Sequence, residues 1–287
     1  MGFIEAIVLG FIQGMTEFLP ISSSAHLRIA GELLPSATDP GATFTAITQI
    51  GTELAVLLYF WGDITRIIGK WFRHFGAANR RGHSANRIEK DDPDVRMGWF
   101  IIIGTIPIVL VGFFLQDTIR GAFRSLWLVA IVLIVFGIIL GIADLLGRRD
   151  KTLIELTPRD GILFGLAQTL ALVPGVSRSG ATTTMGRALG YSRPAAAQYA
   201  FLLAVPAVFG SGLYELYHSI SEPDASAPFG YLETAIATVV AFGVGYAVIA
   251  FLMNYIKTRS FLPFVIYRIA LGVTLLVLLS TGVIEPG

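Results

Sequence analysis

The chain has 287 residues, 54% of them hydrophobic and only 14% charged, with a formal net charge of +1, no cysteine and a mean hydropathy of +0.70. Soluble proteins carry roughly 25% charged residues, so the polar surface that a water-soluble globule needs is missing and the chain reads as an integral membrane protein. Near-neutral charge argues against nucleic acid as a partner, and the absence of cysteine excludes disulfides, thiolate metal sites and cysteine nucleophiles.

The N-terminal run MGFIEAIVLGFIQGMTEFLP has no basic leading region and carries Glu5 and Glu17, a poor match to a cleaved signal peptide. A bilayer-spanning helix needs about 20 mainly apolar residues. In chain order the sequence offers an apolar stretch over 3–34 that Pro, Ser and Gly interrupt, then spans over 44–61, 98–115 and 123–146. A second interrupted stretch over 161–192 is followed by spans over 195–217, 230–254 and 262–283. The segment 62–97 reads as a polar cytoplasmic loop whose mixed-charge part, 76–94, is assigned no chemistry.

Cytoplasmic loops are enriched in Lys and Arg. Segments 62–97, 147–160 and 255–261 hold eight, four and two of these residues, whereas 35–43 and 218–229 hold none and the turn near 120 has Arg120 with Arg124 beside it. The three basic segments are therefore placed in the cytoplasm. An even number of crossings must separate them, so 161–192 has to enter and leave on one side, and 3–34 has to dip from the outer face. The expected fold is an all-α polytopic membrane bundle of six spanning helices plus two re-entrant helical hairpins, one transmembrane domain over 1–287. It divides into repeats over about 1–150 and 158–287. Three crossings per repeat turn the second copy upside down, an inverted-topology repeat of the kind that forms a site near the midplane. Gly10, Gln13, Pro20 and Ser23 find counterparts in Gly165, Gln168, Pro174 and Ser177 once one gap is allowed.

Polar groups at membrane depth are costly unless paired or wetted, so they mark candidate sites. In QGMTE, Gln13 and Glu17 are four apart and share a helix face; their oxygens suit a hard cation such as Mg2+ or Ca2+, although Glu17 could equally pair with an arginine for structure. In PISSSAH, from Pro20 to His26, Ser22 and Ser24 could serve as helix caps. His26 lies within a helical turn of Ser22 and Ser23, and a hydroxyl beside an imidazole is a minimal activated nucleophile; the alternative is a structural histidine. In PGVSRSGAT, from Pro174 to Thr182, the turn and helix start favour an anion. Ser177, Ser179 and Thr182 add hydroxyls there, and Arg178 brings a planar fork for phosphate oxygens; an ordinary capped helix with a structural arginine is the alternative. Together the two breaks offer a carboxylate, a serine and a histidine opposite an anion cradle, which suits phosphoryl transfer or hydrolysis.

These motifs resemble those of the undecaprenyl-diphosphate phosphatase family, integral membrane enzymes connected with bacitracin sensitivity. The resemblance rests on QGMTE running into FLPISSSAH and on the complete PGxSRSxxT pattern from Pro174 to Thr182. It extends through Trp61, the FLLAVP segment from Phe201 to Pro206 and the SFLPFVIYR segment from Ser260 to Arg268, over nearly the whole chain.

The resemblance implies a divalent-metal-dependent hydrolase of the bacterial plasma (inner) membrane that opens toward the periplasm. Such an enzyme converts undecaprenyl diphosphate to the monophosphate carrier used in peptidoglycan synthesis. It further implies Glu17 as metal ligand with Gln13 helping, Ser23 as nucleophile, and His26 as its base or as activator of water. Arg178 would bind the diphosphate with Ser22, Ser177, Ser179 and Thr182. Gln13 is an accepted variant of the first motif that removes one negative charge. The implied partners are membrane lipid, undecaprenyl diphosphate and shorter polyprenyl diphosphates, and a homodimer is compatible. Phosphatidic-acid-phosphatase-type enzymes are disfavoured, because His74, His83 and His218 all lie in or beside loops. A transporter or flippase of a phosphorylated polyprenyl lipid is the alternative, since inverted repeats with broken helices are also a transporter pattern.

Overall fold

The computed structural model describes residues 2–34, 39–75, 91–115, 125–148, 150–223 and 227–284. These form eleven α-helices and no strand: α1 (Phe3–Glu17), α2 (Ser23–Leu33), α3 (Gly41–Tyr59), α4 (Trp61–Phe75), α5 (Pro93–Phe114), α6 (Leu126–Leu146), α7 (Pro158–Thr169), α8 (Arg178–Ala188), α9 (Arg193–Ser221), α10 (Tyr231–Tyr255) and α11 (Leu262–Ser280). Six of them, α3, α5, α6, α9, α10 and α11, are long and apolar enough to cross a membrane, and they occupy the six stretches anticipated from hydropathy. Large apolar side chains such as Phe114 and Leu146 face outward, as expected where lipid rather than water is the solvent. The chain is therefore a multi-pass membrane protein.

The segment 62–97 is not simply a loop. Its first part is α4, where Trp61, Ile68 and Phe72 are exposed along one side. On another side Arg66 pairs with Asp63 and Asp94, and Lys70 with Asp92 and Asp94. Charges interleaved with apolar residues at helical spacing made this stretch read as polar, and the helix gives the two sets separate faces. Asp92 caps α5, whose first residue is Pro93. Residues 76–90 of the mixed-charge segment, together with Arg120 and Arg124, lie outside the described residues.

Each interrupted stretch is a pair of helices joined by a tight turn. Ser22 and Ser177, with φ of 74° and 70°, are the two non-glycine residues of positive φ among the described residues. Each is the N-cap of the helix that follows, and its hydroxyl accepts from the backbone N–H three residues on, that of Ala25 or of Gly180. The caps thus pair Ser22 with Ser177, 155 residues apart, whereas the sequence alone aligns Ser23 with Ser177. Close backbone approach seats both pairs. A Cβ at Gly10 would lie 2.5 Å from the Ala237 carbonyl oxygen of α10, and one at Gly165 would lie 2.4 Å from the Gly104 carbonyl oxygen of α5, so only glycine permits these contacts.

Two buried arginines fasten the assembly. Arg268, fully buried on α11, donates to the carbonyls of Pro20 at 3.1 Å and Gly175 at 2.7 Å, one in each turn. Arg187, near the far end of α8, donates to Asp144 of α6 at 3.0 Å and to the Tyr191 carbonyl. Asp144 also accepts from Arg193 at 2.6 and 2.9 Å and from the Phe261 N–H at 3.1 Å. That knot fixes the ends of α6, α8, α9 and α11, and it leaves the N-terminal end of α8 to meet the first turn.

Candidate active site at the two helix breaks

Pro20 cannot continue a helix and removes a backbone donor, so α1 stops near Glu17 and α2 restarts at Ser23. The turn folds Ser23 back onto α1, where its hydroxyl donates to Glu17 Oε2 at 2.6 Å. The same oxygen accepts from Gln13 Nε2 at 2.8 Å, the four-residue contact expected from QGMTE. Glu17 Oε1 faces the second break, 3.6 Å from Arg178 Nη2. The first residue of α2 and the first residue of α8 therefore meet across one carboxylate. The N-termini of both helices bring their positive dipole ends to the same place.

Arg178 is held by α3 as well. Its Nη2 donates to Gln49 Oε1 at 3.1 Å, and its Nη1 lies 3.7 Å from Glu53 Oε1. Glu53 is 2% exposed. Ser179 spans the breaks, its hydroxyl 3.2 Å from the carbonyl oxygens of Glu17 and Leu19. Thr182 is fully buried and donates to the Arg178 carbonyl at 2.6 Å. The hydroxyls of Ser22 and Ser177 cap their helices and contact Ser24 and Ser179 at 3.2 and 3.1 Å.

Glu17, Gln13, Ser23 and Arg178 thus converge as the sequence proposed, but Ser23 meets Glu17 and not His26. Both ring nitrogens of His26 are engaged elsewhere. Nδ1 lies 2.6 Å from the Ser22 carbonyl oxygen, and Nε2 lies 2.7 Å from the Tyr267 hydroxyl, with the two rings stacked at 5.5 Å. A carbonyl can only accept, so Nδ1 carries a proton; in the neutral ring Nε2 then accepts from Tyr267. Sequence reading missed Gln49, Glu53, Tyr267 and Arg268. Glu53 and Arg268 had a signal, an ionisable residue inside an expected span, whereas Gln49 and Tyr267 are recognised by their contacts alone.

A cavity of about 520 Å³ opens from this cluster between α3, α5 and α9. Ser24, Gln49 and Arg178 line it at the cluster, and apolar groups such as Ile108, Phe113 and Val208 line it beyond. At the far end Thr43 of α3 donates to Glu215 of α9 at 2.8 Å. The shape suits a ligand with an anionic head and an apolar tail.

For a cation, no group of three His, Cys, Asp or Glu converges among the described residues. The available donors are oxygens: two carboxylates, Glu17 and Glu53, and the Gln13 amide. Gln13 Oε1 and Glu53 Oε2 are buried without a hydrogen-bond partner. Orphaned buried oxygens are expensive, and an oxygen set of this kind fits a hard cation that keeps several waters.

Comparison with known proteins gives the same direction. A family described as bacitracin resistance protein BacA matches residues 6–274. An undecaprenyl-diphosphatase of Micrococcus luteus is 63% identical over 285 residues, covering 99% of this chain and 100% of the relative. One from Clavibacter michiganensis subsp. michiganensis is 61% identical over 284 residues, 99% of each chain. One from Paenarthrobacter aurescens is 55% identical over 285 residues, 99% of this chain and 100% of the relative.

Proposed function

The chain belongs to the bacitracin resistance protein BacA family, and from that premise we propose that it is an undecaprenyl-diphosphate phosphatase. It hydrolyses undecaprenyl diphosphate to undecaprenyl phosphate and phosphate, recycling the carrier lipid of peptidoglycan synthesis and conferring bacitracin resistance. The observation that carries this reading is the Ser23–Glu17–Arg178 constellation at the mouth of an apolar cavity.

In this reading the diphosphate sits against Arg178 and the first isoprenoid units occupy the cavity. Arg178, held by Gln49, offers its terminal nitrogens to the phosphate charge that spreads during transfer, the main lever of phosphoryl catalysis. As Ser23 Oγ attacks the terminal phosphorus, its proton passes to Glu17 Oε2, the oxygen that already accepts it at 2.6 Å. The Oγ–P bond forms, the anhydride P–O bond breaks, and undecaprenyl phosphate leaves. Glu17 gives that proton up to the departing phosphate. Water then attacks the phosphoserine and passes a proton to the freed carboxylate, the Oγ–P bond breaks to release inorganic phosphate, and the proton returns from Glu17 to Ser23 Oγ. Direct attack by water held at Glu17 is the competing route. His26 is a positioning residue here, since it holds the Ser22 carbonyl and with it the turn that carries Ser23. Ser177 and Ser179 shape the opposite turn, and Thr182 fixes the start of α8.

Glu17, with Gln13 Oε1, would hold Mg2+ or Ca2+. When bound, the cation supplies charge neutralisation to the phosphate oxygens.

The proposed topology places the pairs α1–α2 and α7–α8 as re-entrant hairpins in an inverted repeat over about 1–150 and 158–287, within one transmembrane domain. The matched caps at Ser22 and Ser177 support this arrangement, and the basic segments support an outward-facing cavity in the bacterial inner membrane.

The test is phosphate release from undecaprenyl diphosphate by the purified, detergent-solubilised protein with Mg2+ or Ca2+, with chelator and Arg178→Ala controls. Release should require the cation, and Arg178→Ala should reduce it on the order of 10³-fold. Lipid binding without release would instead favour a carrier of the phosphorylated lipid.

A further inference from the structure

Glu53 is a site residue that no motif contains. It lies in the body of α3, 2% exposed, and a carboxylate at that depth has to be compensated. Arg178 compensates it only in part: the 3.7 Å separation from Glu53 Oε1 is an ion pair without a hydrogen bond, and Glu53 Oε2 has no hydrogen-bond partner at all. A residue kept merely as a counter-ion for arginine would be expected to use both oxygens in a bidentate fork.

The charge balance gives the second argument. Glu17 and Glu53 both lie beside one guanidinium, at 3.6 and 3.7 Å from its two terminal nitrogens, so with both carboxylates ionised the cluster has one net negative charge. Arg178 Nη1 has no hydrogen-bond partner to give up, but one guanidinium cannot balance both carboxylates and an incoming diphosphate. Once it turns to the phosphate, two buried carboxylates face a polyanion, and a divalent cation is the group that cancels both. The donor set is already present. Gln13 is neutral, so α1 contributes one charge, at Glu17, and the fully buried Gln13 Oε1 stands beside it without a hydrogen-bond partner.

We propose that Glu53 of α3 is the second carboxylate of a divalent-cation site completed by Glu17 and Gln13 Oε1, supplying from a spanning helix the charge that α1 lacks at Gln13. This rests on the phosphatase reading for the identity of the anion that the cation accompanies. The oxygen donors themselves do not depend on it.

The test uses the full-length protein in detergent and Mn2+ as the probe, its binding followed by loss of the free-ion electron paramagnetic resonance signal. Glu53→Gln, nearly isosteric, should weaken Mn2+ binding about tenfold or more. The double variant Gln13→Glu/Glu53→Gln should recover most of that loss, because it returns the charge from α1. The Mg2+ concentration giving half-maximal phosphate release should move in the same order. Melting without cation checks that each variant is folded. A folded Glu53→Gln protein that binds Mn2+ like the parent overturns the proposal, as does a folded double variant with no recovery. If the parent binds Mn2+ through Glu53 yet releases no phosphate, the phosphatase reading fails and the cation site stands.

Discussion

The turn between α1 and α2 and the turn between α7 and α8 use the same backbone parts. Each ends a helix shortly before a proline, places a serine at positive φ, and caps the next helix with that serine. The residue after each cap begins the helix, and here the two part company: it is Ser23 in the first and Arg178 in the second. At the common spacing of 155, Glu17 corresponds to Leu172 and His26 to Ala181. The same backbone form is therefore used twice, while the carboxylate, the hydroxyl proposed as nucleophile and the histidine stand at one turn and the guanidinium proposed to bind the anion at the other. Two turns of one backbone form but different side chains can present two different groups to one point, which two identical turns could not.

The sharpest way to break this division is at Ser23. Ser23→Ala should lower kcat about 10²-fold or more, with a much smaller change in KM, because it removes a group that acts in the transition state. Rapid quenching of the parent enzyme should trap phosphoserine at this position. A variant that keeps most of its rate would assign the attack to water, leaving the first break with an acceptor and no nucleophile.

How much of this was readable beforehand depends on what fixes each feature. The spanning helices were legible because lipid demands long apolar runs, and the bounds differ from expectation by only a few residues at each end. Gln13, Glu17, Ser23 and Arg178 were legible because they sit in short motifs whose local geometry follows from Pro20 and Pro174. The Ser23 partner was not: His26 is nearer in sequence, yet the turn points the serine hydroxyl back along the chain to Glu17. Sequence spacing describes a shared helix face, and Ser23 and Glu17 are on different helices. Glu53 and Gln49 were hidden for a related reason, since α3 reaches Arg178 only through tertiary packing. The helix α4 was hidden by its charges, which average to a polar segment until they are sorted onto faces.

A smaller effect tests whether the two scaffolds are seated alike. Gly10→Ala and Gly165→Ala would each drive a methyl group into the backbone of a facing helix, α10 in one case and α5 in the other. Each should cost about 1–3 kcal/mol, read as a lowered melting temperature in detergent, and the two losses should be similar. Tolerance at one position alone would show that the hairpins are held by different contacts, and that their common turn is a local likeness.

The smallest effect is expected where the two helix pairs share a residue that only one of them uses. Gln13 and Gln168 are both fully buried at equivalent places, but Gln13 donates to Glu17 while neither end of the Gln168 amide has a hydrogen-bond partner among the described residues. Each unsatisfied buried group costs about 1–3 kcal/mol, and replacing an unpaired polar group by an apolar one of similar size removes that cost. Gln168→Leu should therefore leave turnover and its cation dependence unchanged, with a melting temperature equal to or above that of the parent. Gln13→Leu, by contrast, should shift the cation titration. If Gln168→Leu lowers turnover, the second amide also serves a ligand or a bound water, and the chemistry is divided less sharply between the two breaks than their side chains indicate.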